Sequence, residues 1–166
     1  MEENNIIIRP FETKDLPQMA EIWNEIVSEA NAFPQEELLT TDKANDFFSS
    51  QTLTAVDEKE STGEIMGLYI LHPNNIGRCG HICNASYAVG KKFRGMGIGR
   101  KLVKDCMVKG KENGFKILQF NAVVSTNTAA RRLYESLGFE QLGTIKGGFR
   151  LSNTEYADIC PYYIIL

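Results

Sequence analysis

The chain has 166 residues, a length that fits one domain able to bury a sizeable hydrophobic core without disulfides. The net charge of -3 and the charged fraction of 23% are typical of a globular protein and argue against a nucleic-acid-binding surface. The four cysteines form no CxxC pair and the two histidines lack zinc-site spacing, so we expect reduced thiols and no metal site.

The N-terminal start, MEENNIIIRP, has acidic residues and a very short apolar run. It lacks the pattern of a signal peptide and the length of a membrane span, so we expect a soluble, cytoplasmic protein. The segment NIIIRPF predicts a short strand that Pro10 closes. Asp15 is a favourable N-cap for a helix whose apolar residues recur at helical spacing up to Val27. A second short helix is expected to follow Thr41 or Asp42.

Strands dominate the middle of the chain. LTAVDEK and EIMGLYILHP, separated by the turn-forming ESTG, predict a hairpin, and HICNASYAV predicts a third strand. A helix opens at the glycine cluster that follows and ends at Gly114; KILQFNAVVST then predicts a strand and NTAARRLYESLGF a helix. Two final strands are predicted, QLGTIKG and YADICPYYIIL, and Pro161 places the last one at a sheet edge or a bulge, because proline cannot donate to the ladder. This order predicts a mixed α/β fold with helices on both faces of the sheet.

The stretch KKFRGMGIGRKL carries three glycines at alternate positions, Gly95, Gly97 and Gly99, among basic residues. Glycines weaken local structure, so their density here indicates a need for exposed backbone. At the start of a helix their N–H groups lack intrahelical partners and lie at the positive end of the helix dipole, which predicts a cradle for a diphosphate. A P-loop is excluded because no Ser or Thr follows the lysine. The dinucleotide fingerprint is excluded because Arg100 occupies its third glycine position.

The longer stretch SYAVGKKFRGMGIGRKLV resembles the acetyl-CoA-binding motif of the GNAT acetyltransferase superfamily. A second stretch, NTAARRLYESLGFE, resembles a later segment of that family, in which an asparagine precedes a tyrosine by seven residues, as Asn127 precedes Tyr134. The order of predicted elements also matches the family along nearly the whole chain. The resemblance implies a mixed, mostly antiparallel twisted sheet of about seven strands with about four helices, and a single N-acetyltransferase domain over residues 1–166.

The resemblance also implies a role in acetyl-CoA binding for each matching residue. The main chain of Tyr87, Ala88 and Val89 would pair with the pantetheine arm, and Asn127 would hydrogen-bond to that arm. Tyr134 would protonate the departing thiolate of CoA. The diphosphate would be held by the loop residues Arg94, Gly95, Met96, Gly97, Ile98 and Gly99. From the residues alone, Asn127 also fits an N-cap and Tyr134 also fits a core position.

The chain departs from the family at the position of the general base. Members often carry a glutamate on the strand before the glycine motif, whereas Gly80 to Val89 contains no carboxylate and offers His81, Asn84 and Ser86. A lysine-like amine with a pKa of about 10.4 costs about 4.6 kcal/mol to deprotonate at pH 7, but an α-amino group at about 7.7 costs only about 1 kcal/mol. Water and weak acceptors therefore favour an amino-acid-like acceptor.

Two weaker likenesses agree with such an acceptor. HPNNIGRCGHICNASYAV and FNAVVSTN resemble the azetidine-2-carboxylate N-acetyltransferase branch, and the N-terminal IRPFETKDLPQMAEIWNEIV is similar to phosphinothricin acetyltransferases. Both groups acetylate amino-acid analogues, which implies that Asn84 and Asn121 line the acceptor pocket. The alternative for these asparagines is that they satisfy backbone groups at a strand bulge.

We therefore expect an acetyl-CoA-dependent N-acetyltransferase that acetylates the amine of a small molecule by direct attack in a ternary complex. Two alternatives stay open: acetylation of a protein N-terminus or lysine, and a non-catalytic CoA-binding sensor. No nucleic-acid or membrane partner is expected. The apolar tail YYIIL fits either a homodimer contact or an interior strand.

Overall fold

The computed structural model describes residues 6–166, so the expectation drawn from the start MEENN lies outside the described residues. The helices in this range are α1 (Leu16–Glu29), α2 (Thr41–Ser49), α3 (Ile98–Glu112) and α4 (Thr128–Ser136). The strands are β1 (Ile6–Pro10), β2 (Leu53–Lys59), β3 (Glu64–Pro73), β4 (Ile82–Val89), β5 (Ile117–Val124), β6 (Glu140–Gln141), β7 (Ile145–Arg150) and β8 (Tyr156–Ile165). None of the helices within residues 6–166 combines the length and apolar composition needed to cross a bilayer.

The eight strands of the described chain form one sheet with a single parallel pair. They lie in the order β1-β2-β3-β4-β5-β8-β6, and β7 also pairs with β8. The parallel pair is β4 and β5, which are joined by α3 as a crossover and pair at just two positions, Ile82 beside Ile117 and Cys83 beside Leu118. The expectation of a mixed, mostly antiparallel sheet is therefore confirmed.

Helices cover both faces of the sheet, as the order of elements predicts. α1 and α2 pack on one face over a buried cluster that includes Trp23 and Phe48. α3 and α4 pack on the other face over a second cluster that includes Leu102 and Phe120. Side chains of β4 alternate between the two clusters, so this central strand contacts both layers of helices.

Pro161 lies at a bulge inside the sheet and not at an edge. Its strand, β8, is paired with β5 on one side and with β6 and β7 on the other. Asn121 and Ala122 of β5 together lie opposite Pro161, because the register shifts between Phe120 and Val123. The bulge alternative is confirmed, and the edge alternative is wrong.

The predicted strand QLGTIKG is in fact two strands, β6 and β7. The carbonyl of Pro161 accepts the N–H of Leu142 at 2.8 Å, but the proline nitrogen cannot donate on that side, and the ladder breaks directly after Leu142. The tail YYIIL belongs to β8 within the sheet, which confirms the interior-strand alternative.

One carboxylate of β2 is buried without a partner. Asp57 is 0% exposed and lies opposite Gly67 of β3, and neither of its carboxylate oxygens has a hydrogen-bond partner among the described residues. Burial raises the pKa of Asp57 to about 6, against the opposing effect of the Lys101 ammonium. Because this folded-state pKa lies above the unfolded value of about 3.9, the protonated carboxyl suits the fold and the ionised one destabilises it. That stabilisation is lost as the pH rises through about 6.

We predict that Asp57→Asn raises the free energy of unfolding at pH 8 by up to about 3 kcal/mol, which is the energy equivalent of that pKa change. At pH 4, where the folded-state carboxyl is already protonated, the gain should be below about 1 kcal/mol. Urea denaturation at the two pH values measures both differences. The control is Asp46→Asn, at an exposed position of α2; equal effects of the two substitutions at pH 8 would contradict the assignment.

Candidate functional site

The site predicted from the glycine motif lies where β4 and β5 separate. Beyond Cys83 and Leu118 the two strands no longer pair, and a cavity of about 430 Å³ occupies the space between them. Its walls come from β4, β5, the start of α3, one side of α4 and the 32–35 segment after α1. A gap of this kind leaves main-chain groups facing a concave pocket, which is a common setting for a bound ligand.

β4 presents an open edge to this cavity. Its pairing with β3 continues to the end of the strand, where Val89 lies opposite Gly67, whereas its pairing with β5 stops at Cys83. Tyr87 and Val89 line the cavity, and Ala88 between them is buried in the cluster on the other face. A ligand laid along these three residues can therefore pair with β4 as an additional strand would.

The glycine loop leads directly into the first turn of α3, as predicted. Gly95 and Gly97 have φ values of 80° and 81°, a left-handed conformation that costs other residues strain. Met96 between them is 61% exposed. The N–H groups of Gly97, Ile98 and Gly99 have no acceptor within residues 6–166. Bare donors thus lie at the positive end of a 15-residue helix, which suits the binding of an anion.

Arg94, at the start of this loop, holds a carboxylate of α1. Its Nη1 lies 2.8 Å from Oε1 of Glu29, and its Nε lies 3.4 Å from the carbonyl oxygen of Val89. One turn earlier on α1, Oε2 of Glu25 accepts the N–H of Lys91 at 2.9 Å. These contacts are partly exposed, so each stabilises the protein little and an anion of higher charge can displace them.

Asn127 and Tyr134 reach the cavity from the start and middle of α4. Oδ1 of Asn127 accepts the N–H of Ala130 at 3.2 Å, so this residue caps the helix while its Nδ2 takes no part in the cap. The ring of Tyr134 packs 4.5 Å from that of Phe120, and its hydroxyl has no hydrogen-bond partner among the described residues. Burial raises the pKa of Tyr134 well above its usual value, so the hydroxyl stays protonated and can give a proton to an anion.

Asn84 and Asn121 both line the cavity and belong to one network of side-chain amides. Asn74, just after β3, connects them: its Oδ1 accepts from Nδ2 of Asn121 at 2.7 Å and from Nδ2 of Asn84 at 3.5 Å. Oδ1 of Asn84 also accepts the N–H of Ala85 at 2.8 Å, just past the point where β4 leaves β5. Asn84 therefore lines the cavity and also satisfies a main-chain donor of its own strand, and its contact with an acceptor stays a prediction.

His72 is a cavity residue that the sequence patterns did not single out. It lies on β3 directly opposite Asn84 and lines the cavity, whereas His81 is exposed and does not. Nδ1 of His72 lies 3.0 Å from the carbonyl oxygen of Pro73, which can only accept, so Nδ1 is the donor in this contact and Nε2 is the acceptor nitrogen of the neutral ring. No carboxylate of the described chain lines the cavity, which makes this imidazole the available proton acceptor. Strand register brings His72 here, and no local sequence pattern reveals it.

Cys83 is the last residue of β4 that pairs with β5, and its thiol is unreactive. Its thiol donates to the carbonyl of Ile117 at 3.2 Å, and burial raises the pKa of the thiol to about 11. A protonated thiol is a poor nucleophile.

In residues 6–166, no three His, Cys, Asp or Glu side chains group as metal ligands. Hydrogen-bond donors, one imidazole and the phenols of Tyr87 and Tyr134 are the groups that the described residues bring together here.

Comparison of the sequence and the structure with those of known proteins identifies relatives of this chain. Residues 16–139 match the sequence model of the acetyltransferase (GNAT) family. The chain is 34% identical to the N-acetyltransferase aca1 of Schizosaccharomyces pombe, across 78% of this chain and 70% of that protein. A GCN5-related N-acetyltransferase from Kribbella flavida is 31% identical with a TM-score of 0.89, covering 97% and 98% of the two chains. A ribosomal-protein-alanine N-acetyltransferase from Brucella melitensis is 25% identical with a TM-score of 0.88, covering 96% and 99%. Two more distant structures of this fold, 21% and 20% identical, were solved with acetyl-CoA.

Proposed function

Because the chain belongs to the acetyltransferase (GNAT) family, we propose that it is an acetyl-CoA-dependent N-acetyltransferase whose acceptor is the amine of an amino acid or an amino-acid analogue. The observation that carries this proposal is the cavity of about 430 Å³ between β4 and β5, where an open strand edge, the helix start at Gly99 and the protonated Tyr134 meet. We propose that residues 1–166 form one catalytic domain. We further propose that it acts in the cytoplasm, where its four free thiols stay reduced.

Acetyl-CoA suits this cavity as an extended ligand. The amides of its pantetheine arm can pair with the open edge of β4 along 87–89, and Nδ2 of Asn127 can donate to the same arm. Its diphosphate suits the unpaired amides of the 94–99 loop at the positive end of α3. Arg94 would exchange the carboxylate of Glu29 for this diphosphate, which carries more charge and accepts bidentate hydrogen bonds.

The proposed reaction is direct attack of the neutral acceptor amine on the thioester carbonyl. The C–N bond forms, the C–S bond breaks, and the departing thiolate takes the hydroxyl proton of Tyr134. The proton that the amine must lose passes to Nε2 of His72, directly or through one water molecule. The proposed acid and base thus come from two different elements that line one cavity, α4 and β3, and neither group is a carboxylate.

The character of the cavity supports an α-amine as the acceptor. The α-amino group of a peptide is about one-sixth neutral at pH 7, so an imidazole and water are sufficient to complete its deprotonation. In a free amino acid the neighbouring carboxylate stabilises the ammonium, so such an acceptor depends more strongly on the imidazole. The side-chain amides of Asn84 and Asn121 offer hydrogen bonds to a polar small molecule without adding charge. A second candidate acceptor is a protein N-terminus, also an α-amine, which is favoured by the likeness to the Brucella ribosomal-protein-alanine N-acetyltransferase.

We predict that Glu29→Gln lowers the dissociation constant for acetyl-CoA by about two- to fivefold, because the substitution frees Arg94 and removes a negative charge near the diphosphate. For the wild type, acetyl-CoA at 100 times its dissociation constant should add about 2.7 kcal/mol to the free energy of unfolding. Isothermal titration calorimetry and thermal denaturation measure these two effects. Glu112→Gln, at the far end of α3, is the matched control and should leave the affinity unchanged. Weaker binding by the Glu29 variant would contradict the proposed exchange.

We predict that Tyr134→Phe lowers kcat by about 10²- to 10⁴-fold, the usual contribution of a general acid, while the affinity for acetyl-CoA changes less than about threefold. The half-buried ring keeps its packing against the aromatic cluster, so only the proton donor is lost. Thiol release measures turnover and calorimetry measures affinity. Tyr163→Phe, at a tyrosine of β8 outside the cavity lining, serves as the control. A wild type that binds acetyl-CoA without any turnover would instead identify a CoA-binding sensor.

We predict that His72→Gln lowers kcat by at least about tenfold while the affinity for acetyl-CoA changes less than about threefold, because the substitution removes the imidazole acceptor and keeps a polar side chain in the cavity. Thiol release measures turnover and calorimetry measures affinity. His81→Gln, at the exposed histidine, should keep the wild-type kcat. An unchanged kcat in the His72 variant would show that His72 is not the base.

A further inference from the structure

Three asparagine side chains form one hydrogen-bonded network at the wall of the cavity between β4 and β5. Asn84 and Asn121 line this cavity, whereas Asn74, which connects them, is not one of its lining residues. Asn74 follows β3 directly, and its main-chain N–H donates to the carbonyl of Ile82 at 2.8 Å. The connecting residue is therefore held against the start of β4 by its own backbone.

One main-chain group determines how the three amides are oriented. The N–H of Ala85 can only donate, so the atom of Asn84 that lies 2.8 Å from it is the oxygen, Oδ1. Nδ2 of Asn84 therefore faces Asn74, and the atom of Asn74 that accepts from it at 3.5 Å is Oδ1. The other end of the Asn74 amide, Nδ2, then donates to Oδ1 of Asn121 at 3.1 Å, and Nδ2 of Asn121 donates back at 2.7 Å. Asn74 thus transmits the orientation set at Ala85 to Asn121.

This orientation leaves one free N–H on each of the two amides that line the cavity. Oδ1 of Asn121 is fully engaged, because it accepts from Asn74 and also from Nε2 of Gln119 at 3.0 Å. Nδ2 of Asn84 and Nδ2 of Asn121 each carry two hydrogens, and one of the two is used within the network. Within residues 6–166, the second hydrogen of each has no acceptor.

The two free N–H groups lie beside the proposed base. His72 is directly opposite Asn84 in the pairing of β3 with β4, and both side chains line the cavity. Side chains that are directly opposite in an antiparallel pair are close neighbours. An acceptor whose amine faces His72 therefore has the groups next to that amine beside the amide of Asn84.

We propose that Asn74 is a positioning residue, which holds the free N–H groups of Asn84 and Asn121 toward an oxygen of the acceptor. This inference rests on the proposed function, because it assigns these N–H groups to the molecule that is acetylated. The oxygen belongs to a carboxylate or a carbonyl on the carbon that bears the amine, since such an oxygen and the amine can both reach this short stretch of wall.

The substrate class follows from the polarity of these groups. Neutral N–H donors bind a carboxylate and a peptide carbonyl alike, so the class comprises α-amino acids, their amides and the N-termini of peptides. A simple alkylamine would leave both donors without a partner once water is displaced from them, which costs binding energy. Asn74 thus favours amines that carry this oxygen over amines that lack it.

Kinetics of thiol release with matched acceptors test the substrate class. L-alanine and L-alaninamide carry the oxygen, and isopropylamine has the same carbon skeleton with a methyl group in its place. Each rate is expressed per concentration of neutral amine, so that differences in amine pKa do not enter. We expect the wild-type kcat/KM to be at least about tenfold higher for the two acceptors with the oxygen, as two additional neutral hydrogen bonds allow.

Substitution of Asn74 tests the positioning role. Asn74→Leu keeps the size of the side chain and removes both ends of its amide. It should raise KM for L-alanine and L-alaninamide about five- to tenfold, with kcat and the affinity for acetyl-CoA within about threefold of the wild type. Asn74→Asp, which loses only the donor to Asn121, should also raise KM, and more for L-alanine because of the added negative charge. Asn75→Leu, at the exposed next residue, is the control and should match the wild type.

A double-mutant cycle distinguishes positioning from a general structural effect. If Asn74 acts through Asn121, the increase in KM for Asn74→Leu combined with Asn121→Leu should be smaller than the product of the two single increases, because the second substitution removes an interaction that is already lost. Multiplicative effects would show that the two residues act independently and would overturn the positioning role.

The remaining outcomes separate this inference from the proposed function. If the wild type acetylates L-alanine or L-alaninamide and Asn74→Leu leaves KM unchanged, or Asn75→Leu raises it equally, the role of Asn74 is overturned and the acetyltransferase stands. If isopropylamine is acetylated as well as the others, the substrate class is overturned. Calorimetry with the protein saturated by CoA measures binding without reaction: binding of L-alaninamide that depends on Asn74, without any acetyl transfer, leaves the positioning role standing while the proposed function fails. If these acceptors neither bind nor react, both fail.

Discussion

The early parting of β4 from β5 is the constraint on which the rest of this structure depends. Two parallel residue pairs hold the strands together at one end, and the main chain beyond Cys83 has no strand beside it. An unpaired edge inside a sheet is costly unless its polar groups find partners. Asn84 supplies one such partner to Ala85, and the cavity leaves the rest of the edge open to a ligand. The gap is therefore both a local weakness of the sheet and the reason that a binding site exists.

Two arginines of the described chain are paired with partly exposed carboxylates. Glu29 pairs with Arg94 at the glycine loop, and Glu36 pairs with Arg150 at the end of β7. Both acids come from α1 or the segment that follows it, and both pairs are open to water. Such pairs keep each guanidinium ordered and neutralised, yet they are weak enough to exchange. At the glycine loop, the proposed diphosphate would therefore displace a carboxylate that is only weakly held.

The proposed acid, Tyr134, is held by close packing, in contrast to these exchangeable pairs. The ring of Tyr134 lies in an aromatic group with Phe120 and Phe139. α4 itself is tied to the sheet through Tyr162, whose hydroxyl accepts from Nε of Arg131 at 3.2 Å and donates to Glu135 at 2.8 Å. Aromatic packing fixes the position of the phenol, and burial keeps it protonated. A general acid needs both properties at once.

What the sequence by itself determined are the features that a short run of residues encodes. The spacing of hydrophobic and turn-forming residues predicted both ends of β2 and β3 correctly. The glycine loop could also be predicted, because its left-handed turns and its helix start lie within six consecutive positions. The cap formed by Asn127 is equally local. The tertiary structure alone decided which distant residues share a cavity: His72 depends on the register between β3 and β4, and Arg150 meets Glu36 across 114 positions. It likewise decided that Pro161 lies in a bulge and not at an edge. A local sequence pattern predicts the backbone conformation of its own segment. Strand register and the packing of distant segments depend on the whole chain, so no local pattern predicts them.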